Sequence, residues 1–275
     1  MTSNGAPAGS VEPAEIDTSK AHAARVYDFL LGGRANFKVD REAAEITYAA
    51  WPGGIEAVRA DVREHRAALG RVVRYFARDG VTQFLDIGTG IPKQNNVHEV
   101  AAAEEADPRI VYVDWDPIVL AHAHQLLRGT REGTVSYIYG DLHDPQPILR
   151  EAAKTLDFSR PVAIMLFGIL HFFSDADDPR GVIGQLLEPL PAGSGLAVSH
   201  LASDLHPEEM SETFSRLNAR MAETVTLRSH DEVAALLTGL DLVDPGVVQA
   251  TSWRPDPGAA TPSSQVWIGV GRKAG

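Results

Sequence analysis

The stretch Gln83-Phe84-Leu85-Asp86-Ile87, followed by Gly88-Thr89-Gly90, constrains this chain more than any other segment. A short apolar run closed by glycines reads as a buried parallel strand, and open α/β sheets bind their ligands beyond the carboxyl ends of such strands. Asp86 stands at that end. Gly88 and Gly90 let the backbone turn sharply and let a ligand lie against bare main chain. A dinucleotide fingerprint, G-x-G-x-x-G, needs a third glycine for close helix-to-strand packing, and here that position is Lys93, directly after Pro92. The dinucleotide reading fails this test. What is left is D-x-G-x-G, whose plainest alternative is a glycine turn after any buried strand.

Composition narrows the class. The 275 residues suffice for one sizeable α/β domain with an elaboration, and 44% hydrophobic with 23% charged residues are globular values. No apolar run approaches the ~18 residues that a spanning helix needs, so no membrane partner is expected. The absence of cysteine excludes disulfides, thiolate metal sites and a cysteine nucleophile. A net charge of -12 repels a phosphate backbone, which points to a small-molecule substrate and no nucleic acid. The first residues lack a basic start before an apolar core, so a cytoplasmic location is expected. Oligomeric state is not legible.

Residues 1–16, rich in Ala, Gly, Pro and Ser, are expected to be a disordered tail, 17–79 a helical cover or lid, and 80–275 the ligand-binding α/β domain. Thr18 or Ser19 is placed to cap a helix through Val26, Tyr27, Leu30 and Leu31 that ends at Gly32-Gly33, and Asp40-Arg41 to open the next. Ile55–Arg78 reads as a long amphipathic helix. From about residue 80, strand and helix alternate: Ile110–Val113, Pro117–Arg128 ending at Gly129, Val135–Tyr139, Pro161–Phe167 and Leu196–Ser199. A helix over Glu208–Glu223 follows, and Ser229 with Glu232 forms a capping box. Gly246–Thr251 and Gln265–Val270 suit an antiparallel edge hairpin.

Chemistry-bearing residues recur at the strand ends. Asp114 follows the second strand near the ~20-residue interval of a ribose carboxylate, and a carboxylate can accept from both ribose hydroxyls. Trp115 is placed to pack on an adenine or under the next helix. Asp116 with Pro117 is equally an N-cap. Gly140-Asp141-Leu142 follows the third strand, where an Asx turn is the bland reading. Phe167 ends the fourth strand, and Gly168-Ile169-Leu170-His171 follows it. His171 is a candidate base, although shaping the pocket is the commoner role of such a histidine. Asp175–Pro179 reads as a turn with Asp178 as N-cap, so no metal is required.

D-x-G-x-G resembles the first motif of class I S-adenosylmethionine methyltransferases. Tyr27-Asp28-Phe29-Leu30-Leu31-Gly32-Gly33, with Asn36, Phe37, Asp40, Arg41 and Asn96–Val100, is similar to the signature of a bacterial S-adenosyl methyltransferase family. Pro92-Lys93 departs from the expected Pro-Thr, and His65 stands where asparagine is expected. The resemblance implies a Rossmann-like α/β fold: a mostly parallel seven-stranded sheet, an antiparallel C-terminal hairpin and an N-terminal helical lid. It further implies S-adenosylmethionine as cofactor, S-adenosylhomocysteine as product, and a small-molecule acceptor methylated on O or N rather than C. Asp86, Gly88, Gly90, Asp114, Trp115, Asp141, Leu142 and Phe167 would serve the cofactor, with Asp141 and Leu142 at the adenine. Tyr27, Asn36, Phe37 and Arg41 would form a lid over the acceptor, with His171 beside the methyl. Two other readings stand: a protein that binds or senses the cofactor without transfer, and a haloacid-dehalogenase-like phosphatase using Asp114 and Asp116 with Lys154 and Asp177-Asp178.

Overall fold

The computed structural model describes residues 17–275 apart from 94, 105–106, 127–132, 222 and 260–261, with the backbone alone at 120 and 123–126. The expected tail, 1–16, and the helix end at Arg128-Gly129 lie outside the described residues.

Three helices precede the sheet: α1 (Ala23–Leu30), α2 (Lys38–Tyr48) and α3 (Gly54–Arg78). The remainder alternates as β1 (Gln83–Ile87), α4 (Val97–Glu104), β2 (Arg109–Asp114), α5 (Pro117–Leu126), β3 (Val135–Tyr139), α6 (Pro145–Ala152), β4 (Ala163–Phe167), α7 (Pro179–Leu187) and β5 (Gly195–Leu201). Then come α8 (Pro207–Asn218), α9 (His230–Leu236), β6 (Leu240–Leu242), β7 (Val248–Gln249) and β8 (Val266–Lys273).

The sheet runs β3-β2-β1-β4-β5-β8-β6, with β7 also on β8. The first five strands pair in parallel, and β8 is antiparallel to β5, β6 and β7. Seven strands thus share one path, as expected, and an eighth short one is added. The C-terminal hairpin is corrected in position: Val248 does pair with Ile268, yet β8 is interior, between β5 and β6, and β6 forms the edge. Ile268 and Val270 are fully buried, which suits a strand bonded on both sides.

Side-chain alternation divides the sheet between two cores. Leu85, Ile87, Val111, Val113, Ile164 and Leu166 pack with α6, α7 and α9. Phe84, Ile110, Tyr112, Ala163 and Met165 pack with α3 and α4. A third core joins Val26 and Leu30 of α1, Ala43, Ala44 and Tyr48 of α2, and Val58 of α3 to Met210, Phe214 and Leu217 of α8. The N-terminal helices therefore share buried side chains with a helix late in the chain.

Local expectations differ from the structure at two helix ends, both beside the site. α1 begins at Ala23, so neither Thr18 nor Ser19 caps it; His22 is the N-cap residue and its side chain makes no cap bond. α8 ends at Asn218, short of Glu223. The Asn218 amide accepts from the Val225 N–H (2.8 Å) and donates to the Val225 carbonyl (3.0 Å), which draws Val225 back to the end of α8. By contrast, Asp178 caps α7 and Ser229 caps α9 as expected. No helix among the described residues is long and apolar enough to cross a membrane.

Candidate active site

Strand order reverses between β1 and β4, and a cavity of about 720 Å³ lies beyond the carboxyl ends of these strands. That volume is typical of a small-molecule site, and the reversal point is where open α/β sheets bind ligands. The alternation that sends Phe84 and Tyr112 toward α3 and α4 puts Asp86 and Asp114, two residues further on, at the same side of their strand ends.

Both acids line the cavity and are buried. Burial pushes the Asp86 carboxyl up to about 7, against the opposing pull of the Arg66 guanidinium. Burial likewise raises Asp114 to about 6, although its oxygens accept the Gly90 N–H (2.8 Å) and the Asp116 N–H (3.0 Å). Gly88 has φ +76°, and a Cβ there would lie 2.9 Å from Ile169, so the turn requires glycine on both counts. Trp115, 43% exposed, lines the cavity, as do Asp141, buried Leu142 and buried Phe167. Asp141 also accepts the His143 N–H (2.9 Å), the Asx turn of the bland reading. Asp116 accepts the Ile118 N–H (2.9 Å) and so caps α5.

Tyr27 reaches the cavity from α1 and bonds His65 Nδ1 (3.1 Å). His65 Nε2 meets the Ser199 hydroxyl at 2.6 Å, and that oxygen accepts the Gly168 N–H (2.8 Å). A continuous chain of hydrogen bonds therefore links α1 to the end of β4. Burial lowers His65 to about 4, so its ring is neutral. His171 also lines the cavity, and burial, with His200 and His65 nearby, holds it well below the usual histidine value.

Asn36, Phe37 and Arg41 do not line this cavity. Asn36 and Arg41 belong to a cluster around Asp28, a fully enclosed carboxylate that accepts the Ala35 N–H (2.9 Å) and the Asn36 amide (2.7 Å) and pairs with Lys93, whereas the Phe37 N–H is given to Asp40 (2.8 Å). Arg41 donates to Asn36 Oδ1 (3.0 Å), and the Phe37 ring lies under the Arg25 guanidinium. A Cβ on Gly33 would collide with Asp28 and Lys93, so the second glycine of the signature leaves room for this ion pair. Lys93, where threonine was expected, thus ties the glycine turn to α1.

Several residues that sequence reasoning passed over complete the site. His22 lies between two carboxylates, Nδ1 at 2.8 Å from Asp116 and Nε2 at 2.8 Å from Glu223, with the Trp115 ring 5.6 Å away. Burial alone would lower the imidazole, but the two carboxylates raise it to about 10, so His22 is a cation. Its partners come from the end of β2 and from the segment after α8, and Ala21 bridges Met221 beside them. The three side chains form a clasp that joins the start of α1 to the end of β2 and to the segment after α8, with His22 and Glu223 lining the cavity. Buried Arg228 donates to the Leu170 (3.2 Å) and Phe173 (3.0 Å) carbonyls and to His200 Nε2 (2.9 Å), which fixes the turn carrying His171. The partners of His22 and Arg228 are remote in sequence, and no local pattern announces them.

The phosphatase constellation does not assemble. Lys154 is paired with Glu151 on the surface and Asp178 is engaged as an N-cap, and neither lines the cavity; Asp177 does line it, but its carboxylate accepts the Ser174 N–H (2.8 Å) and hydroxyl (2.6 Å).

A family model described as S-adenosyl methyltransferase matches residues 9–274. No curated protein matches the chain. Among solved structures, a DUF574 family protein from Streptomyces avermitilis MA-4680 is 40% identical over 94% of this chain and 100% of its own, with TM-score 0.88. A protein from Thermobifida fusca YX, described as a candidate methyltransferase, is 35% identical over 97% and 100% with TM-score 0.87. An O-methyltransferase family protein from Burkholderia thailandensis, 15% identical over 79% and 60% with TM-score 0.50, shares the fold. With the acid-and-glycine turn, the strand-end carboxylates and the sheet order agreeing with a match over nearly its whole length, the chain belongs to the S-adenosyl methyltransferase family and uses S-adenosylmethionine as its cofactor.

Proposed function

We propose that this methyltransferase acts on the oxygen or nitrogen of a small, largely apolar acceptor bound beneath α1 and α2. The observation that carries the reading is a single cavity that is polar at the strand ends and apolar under the N-terminal helices, where Leu30, Tyr48, Trp51, Val58 and Phe214 line it. The residues at the polar end fit the cofactor. Each Asp114 oxygen already accepts one backbone N–H and keeps a second acceptor position, which suits a pair of ribose hydroxyls. Asp86 and Arg66 would hold the amino-acid end, and Asp141, Leu142 and Trp115 the adenine.

S-adenosylmethionine, when bound, supplies an activated methyl: the acceptor lone pair forms the new bond to carbon, the carbon–sulfur electrons remain on sulfur, and the acceptor releases its proton. The protein's part is orientation, which in favourable cases accounts for ~7–11 kcal/mol of barrier. Tyr27 closes over the acceptor, held by its bond to His65, while Asn36 and Arg41 act indirectly by fixing the Asp28–Lys93 tie and Phe37 by packing on Arg25. His171, neutral throughout the physiological range, accepts a hydrogen bond from the acceptor rather than acting as a strong base.

The test is formation of S-adenosylhomocysteine when purified protein and S-adenosylmethionine are incubated with pooled apolar alcohols, phenols and amines. Acceptor-dependent product supports the proposal; saturable cofactor binding without transfer to any acceptor would favour the sensing role instead.

A further inference from the structure

Among the carboxylates that line the cavity, Asp61 has a task in neither the cofactor reading, the His22 clasp nor the Ser174–Asp177 turn. Asp61 sits on α3 one turn before His65 and lines the same cavity as Tyr48, Trp51 and Phe214, whose rings meet edge to face at 5.7 and 6.2 Å. Asp61 is only 8% exposed. Its Oδ2 accepts the Gln265 N–H (2.9 Å), and Ser264 supports it, but Oδ1 has no hydrogen-bond partner.

A buried carboxylate oxygen without a donor is costly, and the cost disappears when a ligand supplies one. Positive charge for this purpose does not come from the protein. Arg66 is the one arginine or lysine among the described lining residues; its Nη2 is given to Asn96 (2.8 Å) and its Nε has no partner, but its charge acts on Asp86 and not on Asp61. The His22 imidazolium is held by Asp116 and Glu223. Burial pushes the Asp61 carboxyl up, against the Ser264 and Gln265 hydrogen bonds, so a hydroxyl would satisfy the oxygen, whereas only an ammonium would also offset the cost of the buried charge, in a cavity that aromatic rings line as well.

We infer that the methyl acceptor carries an ammonium group, seated between Asp61 and the Tyr48–Trp51–Phe214 wall, and that anionic acceptors are excluded. This inference rests on the methyl-transfer reading, because it assigns that reading's acceptor. Asp61 here is a recognition residue, and the ammonium is an anchor distinct from the atom that receives the methyl.

Three probes with one aromatic ring but different charge, 2-phenylethylamine, 2-phenylethanol and 3-phenylpropionate, would be titrated calorimetrically into protein saturated with S-adenosylhomocysteine at pH 7. The amine is expected to bind at least about tenfold more tightly than the alcohol, and the acid not at all. Asp61→Asn, which keeps shape and an acceptor for Gln265, should reduce that preference to below about threefold with S-adenosylhomocysteine affinity unchanged. Trp51→Leu should weaken the amine and spare the alcohol. An alcohol or acid that binds as well as the amine, an amine preference that survives Asp61→Asn, or binding by none of the probes overturns the inference while leaving the methyltransferase reading intact. Failure of the folded protein to bind S-adenosylhomocysteine would instead strike at the cofactor pocket itself.

Discussion

The His22 clasp makes a quantitative prediction about stability and pH. In the folded protein the imidazole is raised from 6.5 to about 10 by Asp116 and Glu223, overcoming the burial that would lower it. A group whose folded pKa is raised stabilises fully below its unfolded pKa and loses that stabilisation as the pH rises through the folded value. Between those values the contribution amounts to about 4 kcal/mol at pH 7 and about 1.5 kcal/mol at pH 9. Asp116 itself is held below the usual carboxylate range, its burial outweighed by the bond to His22, so it does not titrate in this window. His22→Gln keeps a polar side chain and removes the charge. Urea unfolding of the two proteins, followed by circular dichroism from pH 6.5 to 10, should show a stability gap that narrows by about 2.5 kcal/mol between pH 7 and 9. The variant should also release S-adenosylhomocysteine faster, because His22 and Glu223 line the cavity and join elements on either side of it. A gap independent of pH would refute the ion pair.

Gly88→Ala combines a positive φ with a Cβ 2.9 Å from Ile169, so it should cost about 1–3 kcal/mol in a thermal melt and weaken cofactor binding. Arg228→Met leaves two buried carbonyls and His200 Nε2 without a donor, and a loss of about 3–5 kcal/mol is expected by chemical denaturation. His171→Gln should slow turnover by about tenfold, short of the ~10²–10⁴ that a general base supplies, with a wild-type kcat/KM profile flat from about pH 6 to 9. A hundredfold loss, or a basic limb in that profile, would make His171 the base.

The sheet was legible where local pattern and tertiary role coincide. The apolar runs at 83–87, 110–113 and 161–167 are central strands, where apolar continuity is what burial on both faces demands, and 135–139 is the half-buried edge strand β3. β6 escaped notice because three residues, two of them exposed, carry no period. The interior position of β8 also escaped, since pairing order is decided by packing across the whole sheet. Asp86 and Asp114 were readable because a strand end is a local address. His22 and Glu223 were not: one looked like chain leading into a helix, and the other like the last turn of α8, which ends at Asn218 instead. Asn36 and Arg41 were read as pocket residues because the signature flags importance without direction. Their side chains bond Asp28 and each other, and act on the cavity through Lys93.

Calorimetric titration of the purified protein with S-adenosylmethionine and with S-adenosylhomocysteine, repeated on Asp86→Ala and Asp114→Ala variants that retain the wild-type circular dichroism spectrum, tests the central claim most directly. The account predicts saturable binding of both ligands by the wild type, on the order of micromolar, and loss of at least about tenfold in affinity in each variant. Undiminished binding in the folded variants, or none in the wild type, would contradict it.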